Sequence, residues 1–260
     1  MKERIDILLV ERRLVESRTK AQWLIKKGYV YVNNKQILKP GKKVENTLQI
    51  KLEKKFPYVS RGGLKLDAAL REFSISVENK ICADIGASVG GFTDCLIQNG
   101  AKKVYAIDIA SNLLHPSLIC EKMREKVIPI SGIDARNPIS IEEKVEICSI
   151  DVTFASLRTI LPNLRDLMVR EGSIIALVKP LFEYEFQSNN KLEVIRDPSL
   201  LSQILVGLIG WCKKNHLYPR GIIRSPILGR EGAIEFFIHI KFDKSYLEPD
   251  FTTIIKKRLE

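Results

Sequence analysis

The sequence predicts an α/β chain in two parts: a short α+β segment, then a doubly wound, mostly parallel sheet of seven strands. Three observations carry this. Apolar strand-like runs alternate with helical stretches through residues 59–260. "DIGASVGGFTD", residues 84–94, reads as the strand, glycine turn and helix start of such a sheet. Charge is also unevenly divided, with 15 Lys/Arg against 6 Asp/Glu in residues 1–58 and 27 against 25 thereafter. A basic domain over 1–58 followed by a nearly balanced one over 59–260 suggests a polyanion-binding module joined to a larger body.

In the first segment, Ile5, Leu8 and Leu9 share one helical face. Ser17 can cap a second helix striped by Ala21, Leu24 and Ile25, which Gly28 ends. "YVYV" then alternates as a strand, "NNK" turns, and "LQIKL" returns. Arg18, Lys20, Lys26 and Lys27 gather on and around the second helix beside a hairpin carrying Lys35, so a phosphate backbone would meet several cations on a rigid surface.

In the second segment the strand candidates are Ile81–Ile85, Val104–Ile107, Val127–Ile130, Val145–Ile150, Ser173–Val178, Leu217–Ile223 and Ile234–Ile240. Helices are expected near Gly63–Phe73, Phe92–Asn99, Leu157–Val169 and Pro198–Asn215. No helix separates the last two strands, which suggests one antiparallel strand.

Other classes of function find little support. The five cysteines are scattered without C-x-x-C spacing, and the three histidines form no ligand set, so no metal is expected. "MKERIDILLVERR" is too short in apolar residues for a signal-peptide core, and "LLSQILVGLIGW" falls short of a membrane span. The expectation is a cytoplasmic protein.

Ligands of such sheets bind beyond the carboxyl ends of the strands. There the sequence places the glycine turn, Asp108, Asp151 and Lys179-Pro180. Neither a G-x-G-x-x-G nor a G-x-x-x-x-G-K-[ST] pattern is present, so no phosphate-cradling loop is indicated. Asp108, some twenty residues past the turn, is placed to hydrogen-bond a ribose diol. An acidic residue near the turn is awkward beside a pyrophosphate but tolerable beside an ammonium or a sulfonium. S-adenosyl-L-methionine fits best, with Asp84 organising the loop around its ammonium.

Two resemblances sharpen this. "RIDILLVERRLVESRTKAQWLIKKGYVYVNN" resembles the small RNA-binding domain named after a ribosomal small-subunit protein. It implies that Arg4, Arg18, Lys20, Lys26, Lys27 and Lys35 face structured RNA. "YVSRGGLKL", "DIGASVGGFTDCLIQNGAKKVYAID", "DVTFASL" and "VKPLFE", in that order, resemble the TlyA family, historically labelled hemolysins, whose methyltransferase domain is related to the FtsJ ribose methyltransferases.

The resemblance implies a Rossmann-like methyltransferase sheet, S-adenosyl-L-methionine as cofactor, and transfer to a ribose 2′-hydroxyl of ribosomal RNA or ribosomal subunits. It matches Lys65, Asp151, Lys179 and Glu235 to the catalytic Lys-Asp-Lys-Glu set, with Glu231 close to the last. Lys179 is expected at the centre, Asp151 and Lys65 positioning it and Glu235 orienting the ribose. The cofactor-binding set is Asp84, Gly86, Ser88, Gly90, Gly91, Phe92, Thr93, Asp108, Ile109 and Asp134.

Two loops depart from the family: "SGIDARNP" in place of an acidic residue and T-N-x-R, and "IASNLLHPSLICEKMREK" after Asp108. They motivate an alternative, an RNA-binding or ribosome-assembly factor with an inactive methyltransferase fold. A membrane-acting hemolysin is the least supported reading.

Overall fold

The computed structural model describes residues 2–153, 155–187, 194–244 and 249–259. The chain forms two compact units, Met1–Arg61 and Gly62–Glu260.

The first unit runs β1 (Lys2–Arg4), α1 (Ile5–Glu11), α2 (Arg18–Lys26), β2 (Val30–Val32), β3 (Lys35–Gln36), β4 (Lys43–Glu45) and β5 (Ile50–Leu52). The expected stripes form its core: Ile5, Leu8 and Leu9 from α1 pack with Ala21, Leu24 and Ile25 from α2. Ser17 caps α2, its hydroxyl accepting the Lys20 N–H at 3.3 Å. The "NNK" turn holds Asn33 and Asn34 both at positive φ (47° and 61°), the geometry that joins twisted strands in two residues. The return strand of this hairpin is the short β3, and "LQIKL" instead supplies β5, which pairs with the other edge of β2.

The second unit runs α3 (Arg61–Glu72), β6 (Ile81–Ile85), α4 (Gly91–Gln98), β7 (Lys103–Asp108), β8 (Val127–Ser131), β9 (Val145–Ile150), α5 (Leu157–Ile160), β10 (Met168–Val178), α6 (Pro180–Gln187), α7 (Pro198–Lys214), β11 (Tyr218–Arg224), β12 (Phe236–Lys241) and α8 (Phe251–Leu259). The sheet order is β11-β12-β10-β9-β6-β7-β8. The ladders from β10 through β8 are parallel, and β12 lies antiparallel to both of its neighbours. This is the mixed seven-stranded sheet expected, with one reversed strand. Because β12 is reversed, its start rather than its end lies at the carboxyl edge, where Phe236 pairs with Val178.

Three helices differ from expectation. The one expected over Leu157–Val169 stops at Ile160 and tightens into a 3-10 turn over Leu161–Leu164. Pro162 removes a helical N–H there, and Met168 is already paired with Val145 in the sheet. Pro180 begins α6 rather than a loop, since proline is preorganised for a first helical turn. α8 lies outside the expected helices, and its Thr252, Thr253, Ile254 and Ile255 are β-branched, which disfavours a helix. Burial of Phe251 and Ile255 in the core decides its form.

Candidate active site

The carboxyl edge is built from four strand exits. After β6 the chain turns at Gly86, whose N–H bonds the Ile107 carbonyl at 2.9 Å, while the Asp151 N–H bonds the Ile85 carbonyl at 2.9 Å. Gly86 lies at φ 82°, and a Cβ there would stand 2.3 Å from the Asp151 carbonyl oxygen. Its missing side chain therefore lets two strand exits touch. Gly90 serves a different neighbour, since a Cβ there would lie 2.3 Å from Leu118 Cδ1. The divergent loop after Asp108 folds back onto the glycine turn at this point, with the His115 N–H on the Val89 carbonyl at 3.1 Å.

Beneath the turn, Asp84 is fully buried. It accepts from the Thr93 hydroxyl at 2.7 Å and from the Ser149 hydroxyl at 3.1 Å. Burial pushes its carboxyl up to about 7, and these neutral donors pull it back only in part. Asp84 thus stands as a buried support of the turn, the position from which it would organise the loop. Gly90, Gly91, Phe92 and Thr93 are likewise buried, and none lines the adjoining cavity. The Phe92 ring packs instead towards Phe237, with centroids 6.0 Å apart.

A cavity of about 610 Å³ opens beside the turn, lined by Gly86, Ser88, Asp108, Ile109, Asp134 and Asp151 among others. Asp108 is clasped from two sides, by the Ser88 N–H at 2.8 Å and the Ala110 N–H at 2.9 Å. Asp134 is bridged by its neighbour Arg136 through Nε at 3.0 Å and Nη2 at 2.6 Å, which holds its carboxyl down at about 2. The cationic side chains on this wall, Arg136 and Lys179, are each paired with a carboxylate. That donor set suits a nucleoside with a diol and an ammonium better than a polyphosphate.

Lys179, at the exit of β10, donates to Asp151 Oδ1 at 2.6 Å and to the Val152 carbonyl at 2.7 Å. Lys179 and Thr153 also line a second cavity of about 400 Å³, with Lys65, Phe182, Arg230, Glu231 and Glu235. The Lys179 side chain therefore lies on the same edge as the glycine turn, at the junction of two cavities. Lys65, from the first turns of α3, does not pair with this group as expected. It is buried and bonds Glu235 Oε2 at 2.5 Å, so the four residues stand as two ion pairs. Glu231 lines the same cavity, but the ion pair is made by Glu235.

Sequence reasoning missed the network behind Lys179. Glu183 is buried in α6 and accepts from the Ser156 hydroxyl at 2.8 Å, the Leu157 N–H at 2.7 Å and the buried guanidinium of Arg158. It ties the loop after Asp151 to the helix after Lys179, and burial raises its carboxyl pKa. The signal was present, because Glu183 closes the "VKPLFE" stretch.

In the first unit, Arg4 and Arg18 are half-exposed, and Lys26, Lys27 and Lys35 are exposed. Lys20 does not share this exposure. Its ammonium pairs with Glu16 and lies 5.5 Å from the Phe56 ring centroid, so the expectation of a solvent-facing phosphate contact is corrected. Among the described residues no group of His, Cys, Asp and Glu could hold a metal ion, and no helix is long and apolar enough to cross a membrane.

Comparison with known proteins agrees with this geometry. Residues 58–242 match the FtsJ-like methyltransferase family, and residues 3–50 match the S4 domain. A Bacillus subtilis (strain 168) protein named "Putative rRNA methyltransferase YqxC" is 43% identical over 92% of this chain and 85% of its own. The Mycobacterium tuberculosis (strain ATCC 25618 / H37Rv) protein named 16S/23S rRNA (cytidine-2′-O)-methyltransferase TlyA is 33% identical over 92% of this chain and 89% of its own. A solved structure described as "Putative hemolysin from Streptococcus thermophilus" superposes with a TM-score of 0.71 at 38% identity, covering 99% of this chain and 94% of that one. The chain belongs to the FtsJ-like methyltransferase family and carries an N-terminal S4 domain.

Proposed function

We propose that this family member transfers a methyl group from S-adenosyl-L-methionine to a ribose 2′-hydroxyl of ribosomal RNA in the cytoplasm, with cytidine, the base named for the mycobacterial relative, as first candidate. The observation that carries the reading is the position of Lys179 on the wall of both cavities. The larger cavity would take the cofactor and the smaller one the target nucleotide.

Asp108 would accept from the ribose diol of the cofactor, with Ser88 and Ala110 holding it in place. Ile109, 65% exposed, offers an apolar surface to the adenosine. When bound, S-adenosyl-L-methionine supplies an electrophilic methyl on a sulfonium, which already carries a good leaving group. Lys179 would meet the 2′-oxygen and stabilise the negative charge that builds there as the hydroxyl proton passes to solvent water. Two acceptors fix the direction of the Lys179 head, leaving a third donor direction for that oxygen. The Lys65–Glu235 pair would orient the target ribose, and alignment of hydroxyl with methyl would supply much of the remaining rate.

The test is transfer of labelled methyl from S-adenosyl-L-methionine to rRNA and to ribosomal subunits by the purified protein. Lys179→Ala is expected to abolish transfer while circular dichroism and melting stay unchanged. Methyl found on bases with ribose hydroxyls untouched would overturn the reading. Cofactor-independent, salt-sensitive RNA binding with no transfer would instead identify an inactive assembly factor.

A further inference from the structure

The first unit contains one acid whose position a polyanion-binding surface does not explain. Asp6, in the first turn of α1, is fully buried. Its Oδ1 accepts from Arg4 Nε at 2.9 Å, and its Oδ2 accepts from Arg4 Nη2 at 3.0 Å, Arg18 Nη2 at 3.2 Å and Gln22 Nε2 at 2.8 Å. Arg4 ends β1, while Arg18 and Gln22 lie one turn apart on α2, so a carboxylate on α1 gathers side chains from two other elements. The arginine side chains remain 42% and 54% exposed. Each guanidinium carries five N–H donors in a rigid fork, and Asp6 engages only part of each.

We propose that Asp6 is a positioning residue for RNA: it locks Arg4 and Arg18 into one fixed double fork whose outward N–H groups grip neighbouring phosphates of the RNA backbone. The proposal rests on the reading that this chain acts on RNA. A free arginine side chain carries rotamer entropy, part of which is lost on gripping a phosphate. Arginines already held by Asp6 lose less of it on binding.

The sign of one substitution separates this role from its rivals. Asp6 subtracts a negative charge from a basic surface. If only charge count mattered, Asp6→Asn would tighten RNA binding. If Asp6 holds the fork, Asp6→Asn weakens binding even though the protein becomes more positive.

The experiment uses the full chain and transcribed 16S and 23S rRNA, with affinity measured by filter binding at several salt concentrations. The expected result for Asp6→Asn is a loss of roughly tenfold in affinity, with the salt slope shallower by about one phosphate contact. Arg4→Lys and Arg18→Lys keep the net charge but not the fork, and are expected to lose several-fold each. Either lysine change added to Asp6→Asn should cost little more, because the fork is already broken. In methyl transfer these variants should raise KM and leave kcat in place, which a merely structural role would not do.

Tighter or unchanged binding by Asp6→Asn overturns the proposal. Should that variant unfold the first unit by circular dichroism, the two lysine variants decide, and wild-type affinity in both overturns it. A wild-type chain that binds no rRNA overturns the RNA reading itself, and the positioning role falls with it.

Discussion

Asp6 and Asp84 are the same residue type, both without solvent-accessible surface, and their carboxyls are shifted in opposite directions. The bonds from Arg4, joined by Arg18 and Gln22, hold the Asp6 carboxyl well below the usual carboxylate range against the effect of burial. Asp84 has only hydroxyl and backbone donors, and burial pushes it up to about 7. Two arginines and little desolvation keep Asp6 charged, whereas deep burial among neutral donors raises Asp84. The two sites also direct their charge differently. Asp6 organises cations that face outward, whereas Asp84 supports a turn whose neighbours face inward to a cavity.

The largest effect should come from separating chemistry from grip. Lys179→Met is expected to lower single-turnover methyl transfer by on the order of 10²–10³-fold while rRNA affinity is unchanged. Loss of RNA affinity in that variant would blur the division between the units.

Next is the pH response of the two acids. The folded-state pKa of Asp84 lies above its unfolded value, so its contribution to stability is greatest below about pH 4 and is lost as pH rises towards 7. Asp84→Asn cannot ionise; its carbonyl accepts from one of the Thr93 and Ser149 hydroxyls and its amide N–H donates to the other, which turns to accept. Urea unfolding of the second unit should therefore fall less from pH 5 to pH 8 in the variant, by up to a few kcal/mol. Asp6 works the other way. Its pKa is lowered on folding, so its contribution is complete above about pH 4 and lost only in acid. Asp6→Asn should leave the pH 5–8 slope alone, and a change there would break the contrast.

A smaller effect is expected at the turn that Asp84 supports. Gly86→Ala combines positive φ with a clash against the Asp151 carbonyl, and should destabilise the second unit by about 1–3 kcal/mol in thermal melts. Methyl transfer should fall with it, because Asp151 must shift. Smallest of all is Arg71→Ala. Arg71 is 74% exposed and pairs with Asp67 one helical turn away, and its loss should cost under about 0.5 kcal/mol by the same melts.

Much of this was legible because it is local. Strand runs, the Ser17 cap and the strand-end polar residues are written in periodicity and in neighbours a few positions away. The partners of Asp84 were not, since Ser149 meets it only through the parallel register of β6 and β9. Nor was the burial of Lys20, whose charge reads as solvent-facing until Phe56 and Glu16 close over it. The Lys65–Glu235 pair escaped for the same reason, as no local pattern links residues 170 positions apart. α8 ran against its own β-branched residues, and tertiary packing outweighed propensity.

The reversal of β12 has a consequence for the birth of the protein. Glu235 reaches the carboxyl edge only when β12, which follows both β10 and β11 in the chain, takes its place between them. Until that insertion Lys65 lacks its acidic counterpart and the smaller cavity lacks a wall. A growing chain in which β12 is not yet made therefore holds only one of the two ion pairs at this edge, that of Lys179 with Asp151.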